Sequence, residues 1–168
     1  MKPFASWLST TAPSVFIQEH NSWAIPLIQS VHIAGIAVVS GSLFLISLRV
    51  LALSGMDQTL RQVSQRFSPW VNGSLYLLLA TGLLMVVGEP VRELVSFSFW
   101  AKMFLVAVGS LVAVLFQRSV RRSEAAASGG GAKAMVILTF AIWVCIIFLG
   151  RFIAYDHVWG SWSPAATL

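Results

Sequence analysis

Charge is scarce in this sequence. Asp, Glu, Lys and Arg make up 10% of its 168 residues, against about 25% in a soluble domain. Apolar residues make up 57%, and mean hydropathy is +0.81. Such a chain has too few polar groups to cover a surface in water, which excludes a soluble globular protein and points to the lipid bilayer. Acids are scarcer still, 6 against 11 Lys and Arg. A basic excess in a soluble protein suggests nucleic acid, but here the cations fall between apolar runs, so orientation in a membrane accounts for them and no nucleic-acid partner is expected. Cysteine is nearly absent. Cys145, the only one, excludes an internal disulfide and a cysteine metal cluster, and its apolar surroundings mark it as a packing residue. Also missing are a phosphate loop, a nucleophile–base arrangement and a carboxylate pair within the apolar runs. Nothing therefore points to self-contained hydrolytic chemistry, and the sequence leaves open whether the chain is an enzyme.

What is present is four long apolar runs. A span needs about 20 mostly apolar residues, and four segments qualify: 23–53, 69–88, 97–116 and 134–152. Each is predicted to be helical, because backbone groups in lipid must bond internally. Ser22 is the expected N-cap of the first, with Pro26 in its first turn, and Pro69 opens the second. "RRSEAAASGGGAK" is a flexible polar linker between the third and fourth. The N-terminal "MKPFASWLSTTAPSVF" lacks the continuous apolar core of a signal peptide. Residues 1–22 read instead as an interfacial amphipathic segment, with Phe4, Trp7 and Leu8 on one face and Pro13 opening a second turn.

Arg49, Arg61 and Arg66 lie between the first two spans; Arg118, Arg121, Arg122 and Lys133 lie between the last two. Lys and Arg mark the cytoplasmic side, so the expected architecture is an all-α, four-transmembrane-helix bundle, N-out and C-out, with residues 23–168 as the membrane domain. Most of the seven tryptophans flank spans, as in an aromatic belt, while Trp143 falls deep within one.

Counting from the basic edges at about 1.5 Å per residue places His32, Glu89, Lys102 and Arg151 in one layer near the outer face. At about 100° per residue, His32 shares an arc with Gly35, Ser42 and Arg49, and Lys102 shares one with Gly109, Ala113 and Gln117. Thr139, Trp143, Gly150 and Ala154 share a third, with Arg151 at its edge. Stripes of small and polar residues suit helix interfaces, so His32 and Lys102 are expected to face inward. Lys102 and Arg151 also suit snorkelling to headgroups, and His32 also suits a neutral packing role. The functional reading is that His32 is a metal ligand, to haem iron, and that Lys102 and Arg151 pair with haem propionates. The same cations would equally hold a quinone carbonyl, an anionic lipid head or another acid. His157 and His20 reach this layer only if their segments fold back. Copper has weaker support, with five scattered methionines and no histidine cluster.

The stretch "SWAIPLIQSVHIAGIAVVSG", the "LR" at 48–49, "TGLL" from 81, "FWAKM" from 99 and "GRFIAY" from 150 resemble a bacterial family of small four-helix membrane proteins known only as a domain of unknown function. That family usually has an acidic residue before "LR", where this chain has Ser47. More distantly, the first-helix histidine and the lysine opening the third span are similar to copper-resistance D-type proteins and to the membrane haem protein of protoporphyrinogen oxidation. The resemblance implies a multi-pass protein of the bacterial inner (cytoplasmic) membrane, with His32 as haem ligand and Lys102 as site partner. Three functions follow as expectations. The first is a redox subunit binding haem b near the outer face and exchanging electrons with quinone or a membrane or periplasmic redox partner. The second is a non-catalytic subunit or assembly factor docking a protein or lipid, and the third a copper-handling transporter. Homo- or hetero-oligomers are compatible with each.

Overall fold

The computed structural model describes residues 2–54, 57–122 and 129–153. Among these every regular element is helical: α1 (Lys2–Ser9), α2 (Ala12–Glu19), α3 (Asn21–Val50), α4 (Leu60–Gly88), α5 (Pro90–Val95), α6 (Phe97–Arg122) and α7 (Gly130–Phe152). Four of them, α3, α4, α6 and α7, are long and apolar enough to cross a membrane. Their outward faces expose Leu27, Leu79, Phe104, Leu111, Ile137 and Phe148, the inverse of a soluble helix and what lipid accepts. Cys145 also lies on an exposed face, so the packing role expected from its apolar neighbours does not hold.

The long helices pack in the order α4, α3, α7, α6, with α4 touching α6 over a shorter stretch. Small residues permit the close approaches. A Cβ on Gly35 would come within 3.2 Å of Leu78, and one on Gly109 within 3.1 Å of Ile142. One buried cluster draws Ile46, Val63, Phe116 and Val136 from all four helices. It brings the C-terminal ends of α3 and α6 beside the N-terminal ends of α4 and α7. The basic residues near those termini, Arg49, Arg61, Arg66, Arg118 and Lys133, therefore collect at one end, and Arg49 Nε donates to the Gln58 carbonyl across the connecting turn (2.7 Å). Trp143, in the middle cluster, is buried as expected, and among the described residues its indole N–H has no hydrogen-bond partner.

Helix starts differ most from expectation. α4 begins at Leu60, nine residues before Pro69, which lies inside the helix. The cause is a reciprocal cap: Thr59 Oγ1 accepts from the Gln62 N–H (3.2 Å) and Gln62 Oε1 accepts from the Thr59 N–H (2.9 Å), two otherwise orphan donors satisfied together. α3 begins at Asn21 after His20, so Ser22 is not its cap and Pro26 lies within it. Its far end closes in a Schellman turn: Leu53 N–H donates to the Leu48 carbonyl, Ala52 N–H to the Arg49 carbonyl, and Ala52 takes φ 58°. The N-terminal segment forms two helices that dock on protein. Ala5 of α1 is fully buried and packs with Leu94 of α5, and Ile17 of α2 packs with Ile25.

Candidate functional site

The end of the helices opposite Arg49, Arg61, Arg66 and Arg118 holds the polar residues of interest. His32, half-buried on α3, faces α4, where its Nδ1 lies 2.7 Å from Thr81 Oγ1. The Thr81 hydroxyl is itself 2.7 Å from the Leu77 carbonyl. A hydroxyl has one proton, and an oxygen–oxygen contact that short requires it. Thr81 therefore donates to Leu77 and accepts from His32, which puts a proton on Nδ1 and, in the neutral ring, leaves the Nε2 lone pair uncommitted by this pair. The ring edge lies over Gly82, where a Cβ would stand 3.7 Å from His32 Cε1. The two helices thus fix the ring's rotation as well as its tautomer.

Lys102 reaches the same region from α6. Its cap is Ser96, whose Oγ accepts from the Phe99 N–H (3.1 Å), and Trp100 Nε1 anchors the first turn on the Leu94 carbonyl (3.0 Å). One turn on, the Lys102 ammonium sits 5.5 Å from the centre of the Phe99 ring, a cation–π contact. Its stem runs beside Gly150 of α7, where a Cβ would come within 3.8 Å of Lys102 Cδ. From there its charge acts on both His32 and Glu93.

Glu93 is the member that hydropathy does not reveal. The loop expected between the second and third spans contains α5, a six-residue helix with Pro90 in its first turn. That turn carries Glu93 inward until 3% of it is exposed. Burial pushes its carboxyl above the usual range, with Lys102 and then Arg92 pulling it back and Glu89 adding a smaller push upward. Glu89, the acid expected in the layer, closes α4 and forms an ion pair with Arg92 at 2.7 Å, both side chains partly exposed. The spacing "EPVRE" could have signalled the burial of Glu93, because Glu89 and Arg92 at i, i+3 pair on one face and turn Glu93 away from it.

The structure therefore places His32 and Lys102 at the same end of the helices, sets Thr81 against His32, buries Glu93 there, and leaves Arg151 exposed at the end of α7. His20 does not join them. It lies 12 residues before His32, about 18 Å along the axis, with Nδ1 2.9 Å from the Phe16 carbonyl. His157 falls outside the described residues. Among the described residues no three His, Cys, Asp or Glu side chains gather as a metal-ion site.

A family profile matches residues 6–156. The chain belongs to a family of unknown function, DUF6644. The matched region includes His32, Thr81, Glu93 and Lys102. Among curated proteins and among solved structures, none matches the chain.

Proposed function

We propose that this chain is an integral membrane redox subunit that holds haem b through Nε2 of His32. Lys102, with Arg151 at the same end of the helices, would hold the propionates. The reading includes an N-out, C-out four-helix bundle in the bacterial cytoplasmic membrane, with the His32 end outward and electrons exchanged there with quinone or a periplasmic partner. The carrying observation is the His32–Thr81–Leu77 chain of hydrogen bonds. It supplies what an axial ligand needs, a neutral imidazole oriented by a donor bond from its other nitrogen.

The donor set suits this group better than a bare ion. A porphyrin fills four positions around its iron, so one imidazole serves, whereas copper would draw more ligands from the protein. Lys102 offers a cation to an anionic carboxylate in a place where charge-assisted bonds are strong. Glu93, pushed by burial toward its neutral form, would repel a propionate less than an exposed carboxylate does. The bound haem would supply one-electron chemistry; the residues orient it and balance its charge.

The test is the absorption spectrum of protein purified from membranes. A Soret band that His32→Ala removes or shifts, in protein that still folds and inserts, supports the reading. A colourless, metal-free wild type contradicts it and favours the docking subunit.

A further inference from the structure

At the arginine-rich end, α4 and α6 leave a cleft of about 310 Å³ between them. Its lining includes Arg61, Ser64, Gln65, Ser68 and Asn72 of α4 and Gln117 of α6. The α4 residues recur every three or four positions, so they form one continuous polar face. Ser64 is buried, its Oγ 3.5 Å from that of Ser68. On a helix long and apolar enough to span a membrane, acyl chains would be poor occupants here, because each amide or hydroxyl set against them without a partner costs free energy. A polar occupant resolves the cost. Its sign follows from the lining: among the described residues Arg61 is the one charged member, Ser64, Gln65, Ser68, Asn72 and Gln117 are able to donate, and Pro69 and Val120 are apolar. Arg66 and Arg118 are exposed at the same end, which adds to the positive field.

We propose that this cleft binds a phosphate-bearing anion, the headgroup of an anionic phospholipid. The volume lies at the lower end of the range for small-ligand sites, about 300–1,000 Å³, which suits a headgroup with its phosphate and leaves the acyl chains outside. Trp70 and Leu115, both exposed and adjacent in sequence to the lining helix turns, offer apolar surface for those chains. Arg61 counters the phosphate charge, Gln65 and Gln117 donate to its oxygens, and Asn72, about 16 Å beyond Arg61 along α4, donates to ester oxygens deeper in the cleft. The inference is independent of any cofactor at the opposite end.

The experiment is native mass spectrometry of the purified full chain in detergent with equal amounts of phosphatidylglycerol and phosphatidylcholine. One phosphatidylglycerol should be retained in preference, and Arg61→Gln should reduce that preference by about fivefold, the effect of one cation near anionic lipid. Arg92→Gln, at the other end, should leave it unchanged. Inorganic phosphate tests the other source of the same chemistry. If it raises the melting temperature through Arg61 while no lipid preference appears, the phosphate site stands with a soluble ligand. If Arg61→Gln does not fold, Asn72→Leu carries the test and should also weaken retention. Lipid and phosphate effects that are absent, or indifferent to both substitutions, overturn the proposal.

Discussion

At the His32 end, polar side chains are enclosed and matched. Imidazole meets hydroxyl across α3 and α4, the Lys102 ammonium lies over the Phe99 ring, Glu93 is buried, and Glu89 pairs with Arg92 outside them. At the arginine-rich end the polar face of α4 lines an open cleft, and the lining has one sign of charge. Packing separates the two in the same way. A Cβ on Gly88, at the end of α4 that lies beyond His32, would collide with Ile17 and Ile25 at 2.8 Å, whereas one on Gly73, midway along the same helix, meets nothing within 4 Å. Where α3 and α4 close on each other they fix a proton and a ring rotation; where α4 and α6 part they leave a polar cleft.

The tight end should break most readily. Gly88→Ala forces Ile17, whose β-branched side chain turns poorly, and should cost about 1–3 kcal/mol in a detergent unfolding assay. Gly73→Ala should stay within about 0.5 kcal/mol. A result in which both are neutral would erase the packing difference. Next is Thr81→Val, which strands the His32 N–H and should cost about 1–2 kcal/mol, while Thr81→Ser should restore most of the loss.

Glu93 sharpens the contrast through pH. Its carboxyl titrates above the ordinary range in the folded protein, so its contribution to stability is complete below the usual carboxylate pKa and is lost as pH rises through the raised one. Melting temperature should therefore fall with rising pH across that window in the wild type, and Glu93→Gln should flatten this part of the profile. Parallel profiles would remove Glu93 from the enclosed cluster. The smallest effect belongs to the turn after α3. Ala52→Gly relieves a left-handed backbone at the position where glycine is favoured and should add about 0.5–1 kcal/mol, read as a small rise in melting temperature.

The four long helices were legible because each run is about as long as a bilayer is thick, and His32 stood out as an ionisable group inside one. What hydropathy could not show was set by local bonds. The cap at Thr59 starts α4 in a polar stretch that a search for apolar runs skips. α5 is too short for periodicity to register, yet it buries Glu93. Thr81 was visible only as part of "TGLL"; its role depends on the rotation of α4 against α3, which pairs residues 49 apart in sequence.

The most direct measurement is ¹⁵N NMR of histidine-labelled protein prepared without cofactor. The account predicts that His32 carries its proton on Nδ1 and a bare Nε2, and that Thr81→Val loses this preference while Thr81→Ser keeps it. A His32 protonated on Nε2 in the wild type, or a tautomer indifferent to Thr81, would contradict it.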